Sequence, residues 1–82
     1  MGYTYILLMN DGRYYTGSTT NLGNRIKKHN NGGVRSTKPY RPLTLLGYKK
    51  FSNYSEARQL EIKIKRCKSK EYIETLLNKW NS

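Results

Sequence analysis

Acidic residues are scarce in this chain. Five Asp and Glu stand against sixteen Lys and Arg over 82 residues, a formal charge of +11. Such an excess concentrates polyanions near the surface and speeds their encounter, so nucleic acid is the first partner to consider and an anionic membrane surface the second. Long apolar runs are missing, and a spanning helix needs about 20 consecutive apolar residues, which argues against the membrane. Met1 to Met9 is short, tyrosine-rich and without a basic start, so no signal peptide is read there. Cysteine occurs once, at Cys67, which excludes an internal disulfide and leaves a zinc site short of ligands. This composition reads as a protein of a reducing, cytoplasmic setting, with Cys67 a small apolar packing residue. No internal repeat or low-complexity segment stands out, and 82 residues make one domain with little stability to spare.

What is present is periodic. "YTYILLM", Tyr3 to Met9, is rich in aromatic and apolar residues and reads as a strand. The Asp11-Gly12 turn signal follows, and "RYYTGST", Arg13 to Thr19, reads as its antiparallel partner. Gly17 near the end of that strand suggests a close approach of backbone or a bend. Thr20 or Asn21 caps a helix over about 22–30, which the Asn30-Asn31-Gly32-Gly33 run ends. An exposed basic loop, Val34 to Pro42, leads to a third strand, Leu43 to Phe51. The helix in "SNYSEARQLEIKIKRCK" is capped by Asn53 with Glu56 or by Ser55, and its apolar stripe is Ala57, Leu60, Ile64 and Cys67. Ser69 caps a last helix in which Ile73, Leu76, Leu77 and Trp80 share a face. The expected fold is α+β, a small antiparallel three-stranded sheet flanked by helices in the order β-β-α-β-α-α.

Several side chains sit oddly on this frame. Glu61 falls within the apolar stripe of its helix, where a carboxylate is costly to bury without a partner. It either pairs with Arg58 or Lys65 at helical spacing, or holds Mg²⁺, which often takes only one or two protein carboxylates. Arg25 and His29 lie four apart on the first helix, at the border between core and solvent. Arg25 is either a solvated helix arginine or a guanidinium that grips phosphate and stabilises transition-state charge. His29 is ordinarily a helix-end residue favoured by the dipole. Tyr5, Tyr14 and Tyr15 are ordinary sheet residues, but Tyr14 and Tyr15 point to opposite faces, whereas Tyr5 and Tyr15 can share one.

Taken together and in order, these residues resemble the GIY-YIG nuclease family. "YTY" at 3–5 stands where the first motif falls and "YTG" at 15–17 where the second falls, with Arg25 eight residues past Gly17, then His29, and Glu61 in "ARQLEIKIK". The likeness runs from Tyr3 to about Leu77 and is greatest to small, stand-alone, single-domain members. Tyr3, Thr4 and Thr16 replace the motifs' Gly and Ile positions, which mainly serve the strands. The resemblance implies a DNA endonuclease that selects structure more than sequence, in repair or recombination, using one Mg²⁺ or Mn²⁺. In that reading Tyr5 or Tyr15 is the general base or positions the attacking water, and Arg25 stabilises the phosphorane-like charge. His29 supports the base or contacts phosphate, Glu61 holds the ion, and Gly17 lets the backbone run close to the site. Depressing a free phenol from ~10 towards neutrality takes about 4 kcal/mol, for which Arg25, a lysine and the metal are suitable sources.

Phosphate contacts would come from two clusters. Arg35, Lys38 and Arg41 sit in the loop, with Lys28 just before it, and Lys63, Lys65, Arg66, Lys68 and Lys70 sit around the end of the glutamate helix. About six such contacts would give a log–log salt slope near −5, and Tyr40 either stacks on unpaired bases or packs half-buried on the core. Branched, flapped or damaged DNA is the substrate expected by analogy. The alternatives are a non-catalytic nucleic-acid-binding module and a subunit whose target choice comes from a protein partner.

Overall fold

In the computed structural model, which describes residues 1–81, three strands and three α-helices follow the expected order. Strands β1 (Gly2–Leu8), β2 (Tyr14–Thr19) and β3 (Thr44–Phe51) form one antiparallel sheet in the order β2-β1-β3. The first strand is therefore the central one, and β2 is left as an edge. The β1–β2 hairpin pairs Tyr5 with Gly17 and Leu8 with Tyr14, the register that the Asp11-Gly12 turn sets.

Helix α1 (Leu22–Asn30) is capped by Asn21, whose side chain accepts from the Asn24 amide. Asn53 caps α2 (Tyr54–Cys67) by accepting from the Glu56 amide, while Glu56 Oε1 accepts from the Asn53 side chain and from Ser52. Ser69 caps α3 (Lys70–Trp80) in the same way through Tyr72. Each cap satisfies an amide that the first helical turn leaves without a partner.

Alternation along β1 divides the core between the two faces of the sheet. Tyr5, Leu7 and Met9 pack with Leu43, Leu22, Ile26 and Tyr15 on the α1 face. Gly2 and Thr4 face α2, where the Thr4 hydroxyl donates to the Ala57 carbonyl at 2.7 Å. Leu77 of α3 lies against Gly47, and Asn81 donates to the Leu46 carbonyl at 3.1 Å, which fixes α3 over β3.

Two side chains depart from the sequence reading. Cys67 is exposed rather than packed. The buried arc of α2 is Ala57, Glu61 and Ile64, and at about 100° per residue Cys67 falls roughly 90° off its centre. Tyr40 lies in a short 3₁₀ turn (Lys38–Tyr40), half-buried against the core with Arg13 over its ring, so it is not an exposed stacking platform. No helix of the described residues is long and apolar enough to cross a membrane.

Candidate active site

The hairpin and α1 bring three of the singled-out residues together. Tyr5 is 1% exposed and His29 is fully buried, although its helix position placed it at the border with solvent. The imidazole can be buried because both of its nitrogens find partners. Tyr5 Oη lies 2.9 Å from Nε2, and Thr37 Oγ1 lies 2.8 Å from Nδ1. Thr37 itself donates to the Val34 carbonyl at 3.3 Å. Its hydroxyl therefore accepts from Nδ1–H, which leaves Nε2 to accept from the Tyr5 phenol. The network assigns one tautomer and a directional chain, Tyr5 to His29 to Thr37 to Val34. Thr37, fully buried, is the member that sequence reading missed. It sits in a basic loop without periodicity, and its distance from His29 in the chain carries no signal.

Gly17 makes room for this pair. A Cβ there would meet Tyr5 Oη directly and lie 2.5 Å from Cζ, so it is the Tyr5 ring, rather than a distant backbone, that fills the space. The Tyr15 ring stands edge-on to His29, centroids 5.2 Å apart, and its hydroxyl makes no hydrogen bond among the described residues. Arg25 is half-buried and makes no ion pair among the described residues, but its charge acts on both Tyr5 and His29.

Glu61 approaches from the other face of the sheet. It is 8% exposed; Ser18 donates to Oε1, and Lys65 Nζ lies 2.8 Å from Oε2. The pairing with Lys65 anticipated from helical spacing is thus present, but on a buried carboxylate. Ser18 also lies 3.4 Å from Tyr54 Oη. Neither Ser18 nor Tyr54 stood out in the sequence; the clue was that Ser18 alternates with Gly17 and so faces α2. Lys65 links the two groups at β2, spanning from Glu61 to a point 5.8 Å from the Tyr15 ring centre, and the Glu61 charge acts on Tyr5.

The electrostatics differ from the sequence expectation. Burial pushes the Tyr5 phenol well above its ordinary value, helped by Tyr15 and Glu61 and opposed only by Arg25. Burial, with the charges of Arg25 and Lys28, holds His29 down to about 4. The resting pair is a neutral phenol on a neutral imidazole. An unfolded histidine titrates near 6.5, so between that value and 4 the unfolded chain binds the extra proton. The stability is whole above the unfolded value and is lost as the pH falls, by about 2 kcal/mol between pH 7 and pH 5. His29 is the only histidine, so urea midpoints at pH 7 and pH 5 measure it, and His29→Gln should flatten this window. Identical wild-type midpoints at the two pH values would contradict a neutral buried imidazole.

The basic residues divide. Lys65, Lys68 and Lys70 border a cleft beside Tyr15. Lys63 and Arg66 lie with Gln59, Ile62 and Cys67 on the outer face of α2. Lys28, Arg35, Lys38 and Arg41 are exposed around the loop that carries Thr37, and Arg41 donates to the Lys38 carbonyl.

Among the described residues no three His, Cys, Asp or Glu side chains converge as a metal cage. The donor set that is present, one carboxylate with hydroxyls beside it, suits a hard ion of the Mg²⁺ type that keeps most of its water. It does not suit zinc.

Comparison with known proteins shows the family of the chain. The family model for the GIY-YIG catalytic domain matches residues 1–75. A UPF0213 protein of Clostridium perfringens is 39% identical over 80 residues, covering 96% of this chain and 86% of its own. One from Staphylococcus haemolyticus is 45% identical over 64 residues, covering 77% of this chain and 78% of its own. The solution NMR structure of a UPF0213 protein from Bacillus halodurans superposes with a TM-score of 0.60 at 38% identity, over 95% of this chain and 84% of that one. On this sequence and this fold, the chain belongs to the GIY-YIG family and, within it, to the UPF0213 proteins.

Proposed function

We propose that the protein is a divalent-metal-dependent endonuclease that hydrolyses DNA phosphodiester bonds. The observation that carries the reading is an arginine, Arg25, that makes no ion pair among the described residues, beside a buried Tyr–His pair of fixed tautomer. A solvated structural arginine has no need of that position, whereas a phosphate in transit does.

In this mechanism Tyr5 Oη accepts the proton of the attacking water as its own proton passes to His29 Nε2. Thr37 holds Nδ1–H and so keeps Nε2 free to receive. Burial keeps bulk solvent from Tyr5, and Tyr15, whose hydroxyl makes no hydrogen bond among the described residues, would orient the attacking water or the phosphate. Arg25 binds the non-bridging oxygens and also favours charge on the phenol. Glu61, with Ser18 and Tyr54 beside it, would hold Mg²⁺ or Mn²⁺. When bound, the ion would stabilise the leaving oxygen or activate water.

Incubation of supercoiled plasmid and of branched and flapped oligonucleotides with Mg²⁺, Mn²⁺ or EDTA tests this. Cleavage should vanish in EDTA and in Glu61→Gln. A folded, DNA-binding wild type that cuts none of them would sink the reading.

One observation favours a non-catalytic binding module instead: both Glu61 oxygens already have partners. The two readings part on Lys65→Met. If Lys65 stands in for the metal, removing it should tighten Mn²⁺ binding several-fold, measured by calorimetry. If Glu61 is only a structural anchor for Lys65, Mn²⁺ affinity stays negligible and the variant merely loses stability.

A further inference from the structure

One feature that this mechanism leaves unused is a cleft of about 420 Å³ between the start of β2 and the α2–α3 corner. Its volume lies within the range of small-ligand sites. The apolar and aromatic part of the lining is Ile64, Ile73, Tyr14 and Tyr15. The rim is cationic and no carboxylate belongs to the lining; Arg13, Lys65, Lys68 and Lys70 all do.

These cations are not equivalent. Arg13 is paired with Asp11 at 2.7 Å, and Lys65 with Glu61 at 2.8 Å. Lys68 and Lys70 make no ion pair among the described residues. Lys68 adopts a left-handed conformation, φ 46°, that turns the chain out of α2 and carries Lys70 to the first turn of α3. Both are thereby held at one corner, beside a helix start whose dipole also favours an anion. Lys70 Nζ sits 5.7 Å from the centre of the Tyr14 ring, and the Tyr14 hydroxyl is anchored to Glu74 at 2.9 Å, so that ring is fixed in orientation.

An apolar and aromatic lining, with the Tyr14 ring held in orientation and two lysines that make no ion pair among the described residues, fits a ligand that is planar at one end and anionic at the other. Taking DNA as the substrate, as proposed above, we infer that this cleft holds an unpaired nucleotide of it, the base against Tyr14 and Ile73 and the phosphate on Lys68 and Lys70. A base inside a duplex cannot reach such a lining, whereas a base in a single-stranded tail can, and stacking on a ring is indifferent to base identity. The cleft shares Tyr15 and Lys65 with the catalytic group, so the bound nucleotide sits next to the scissile phosphate. Selection of structure over sequence then follows from this chain's own surface.

The test is fluorescence anisotropy in EDTA with two fluorescein-labelled DNA hairpins, one blunt and one with a short single-stranded tail. Wild type should bind the tailed hairpin about tenfold more tightly, a step that stacking of one base supplies. Ile73→Trp, which fills the cleft, and the double variant Lys68→Ala/Lys70→Ala should each bring the tailed hairpin down to the affinity of the blunt one. Circular dichroism checks that each variant folds, and the lysine variant carries the test if the tryptophan is not accommodated. Equal wild-type affinity for the two hairpins, or a folded variant that keeps the preference, overturns the inference. A tail preference in a protein that never cuts supports the cleft and sinks only the nuclease; cutting without any tail preference does the reverse.

Discussion

Arg25→Ala should lower the rate of DNA cleavage by about a hundred- to a thousandfold, the usual cost of removing one preorganised group that meets developing charge. Affinity for uncut DNA should fall far less, because it is spread over many of the sixteen Lys and Arg side chains. Single-turnover cleavage and anisotropy, measured on the same substrate, separate the two effects. Arg25→Lys should recover only part of the rate, since an ammonium lacks the planar fork that spans two phosphate oxygens. A second readout is independent of cleavage. Arg25 helps to hold His29 neutral, so its removal should move the His29 titration upward in NMR spectra. Cleavage within a few-fold of wild type in Arg25→Ala would mean that the arginine is not at the phosphate.

Gly17→Ala should be the most damaging single methyl group in the hairpin. Its Cβ would press on Tyr5 Oη and Cζ. That ring cannot step aside, because it is 1% exposed and hydrogen-bonded to His29. Overpacking of this kind costs ~1–3 kcal/mol, and a phenol displaced from His29 adds an unsatisfied buried group of similar cost. In a chain of 82 residues that is a large share of the whole. Gly23→Ala makes the contrasting case. Its Cβ meets only Asn21 Oδ1 at 3.9 Å, within the first turn of α1, so the substitution should stabilise by about 0.5–1 kcal/mol. Urea midpoints of both variants check the pair. A Gly17→Ala protein as stable as wild type would show that the Tyr5 ring is free to move.

The fold was legible because its signals are local. Asp11-Gly12 marked the hairpin, and Asn53 and Ser69 marked helix starts that are capped as expected. Of Thr20 and Asn21, the structure selects Asn21. The third strand begins at Thr44 because Leu43 turns into the core ahead of it, its amide held by the Asn30 side chain. What could not be read was burial that depends on distant partners. His29 is buried only because Tyr5 and Thr37, 24 residues before it and 8 after, satisfy its two nitrogens. Glu61 was visible as a misplaced carboxylate, but the Ser18 hydroxyl that makes its burial tolerable lies on strand β2, 43 residues away. The direction of the Tyr5 shift was missed for the same reason. The charge of Arg25 is apparent in the sequence, whereas the loss of solvent around Tyr5, which outweighs it, is not.

The central place of the first strand governs the order in which this site can assemble. Pairing Leu8 with Tyr14 closes a loop over residues 9–13, whereas pairing Leu8 with Thr44 closes one over residues 9–43. The longer closure costs about 2 kcal/mol more in chain entropy, so the hairpin with Tyr5 and Gly17 forms ahead of β3. Glu61 comes still later, on a helix that has a surface to lie on only once the strands are paired. By this order the phenols should be in place before the carboxylate, and a half-folded chain should lack the complete proposed site.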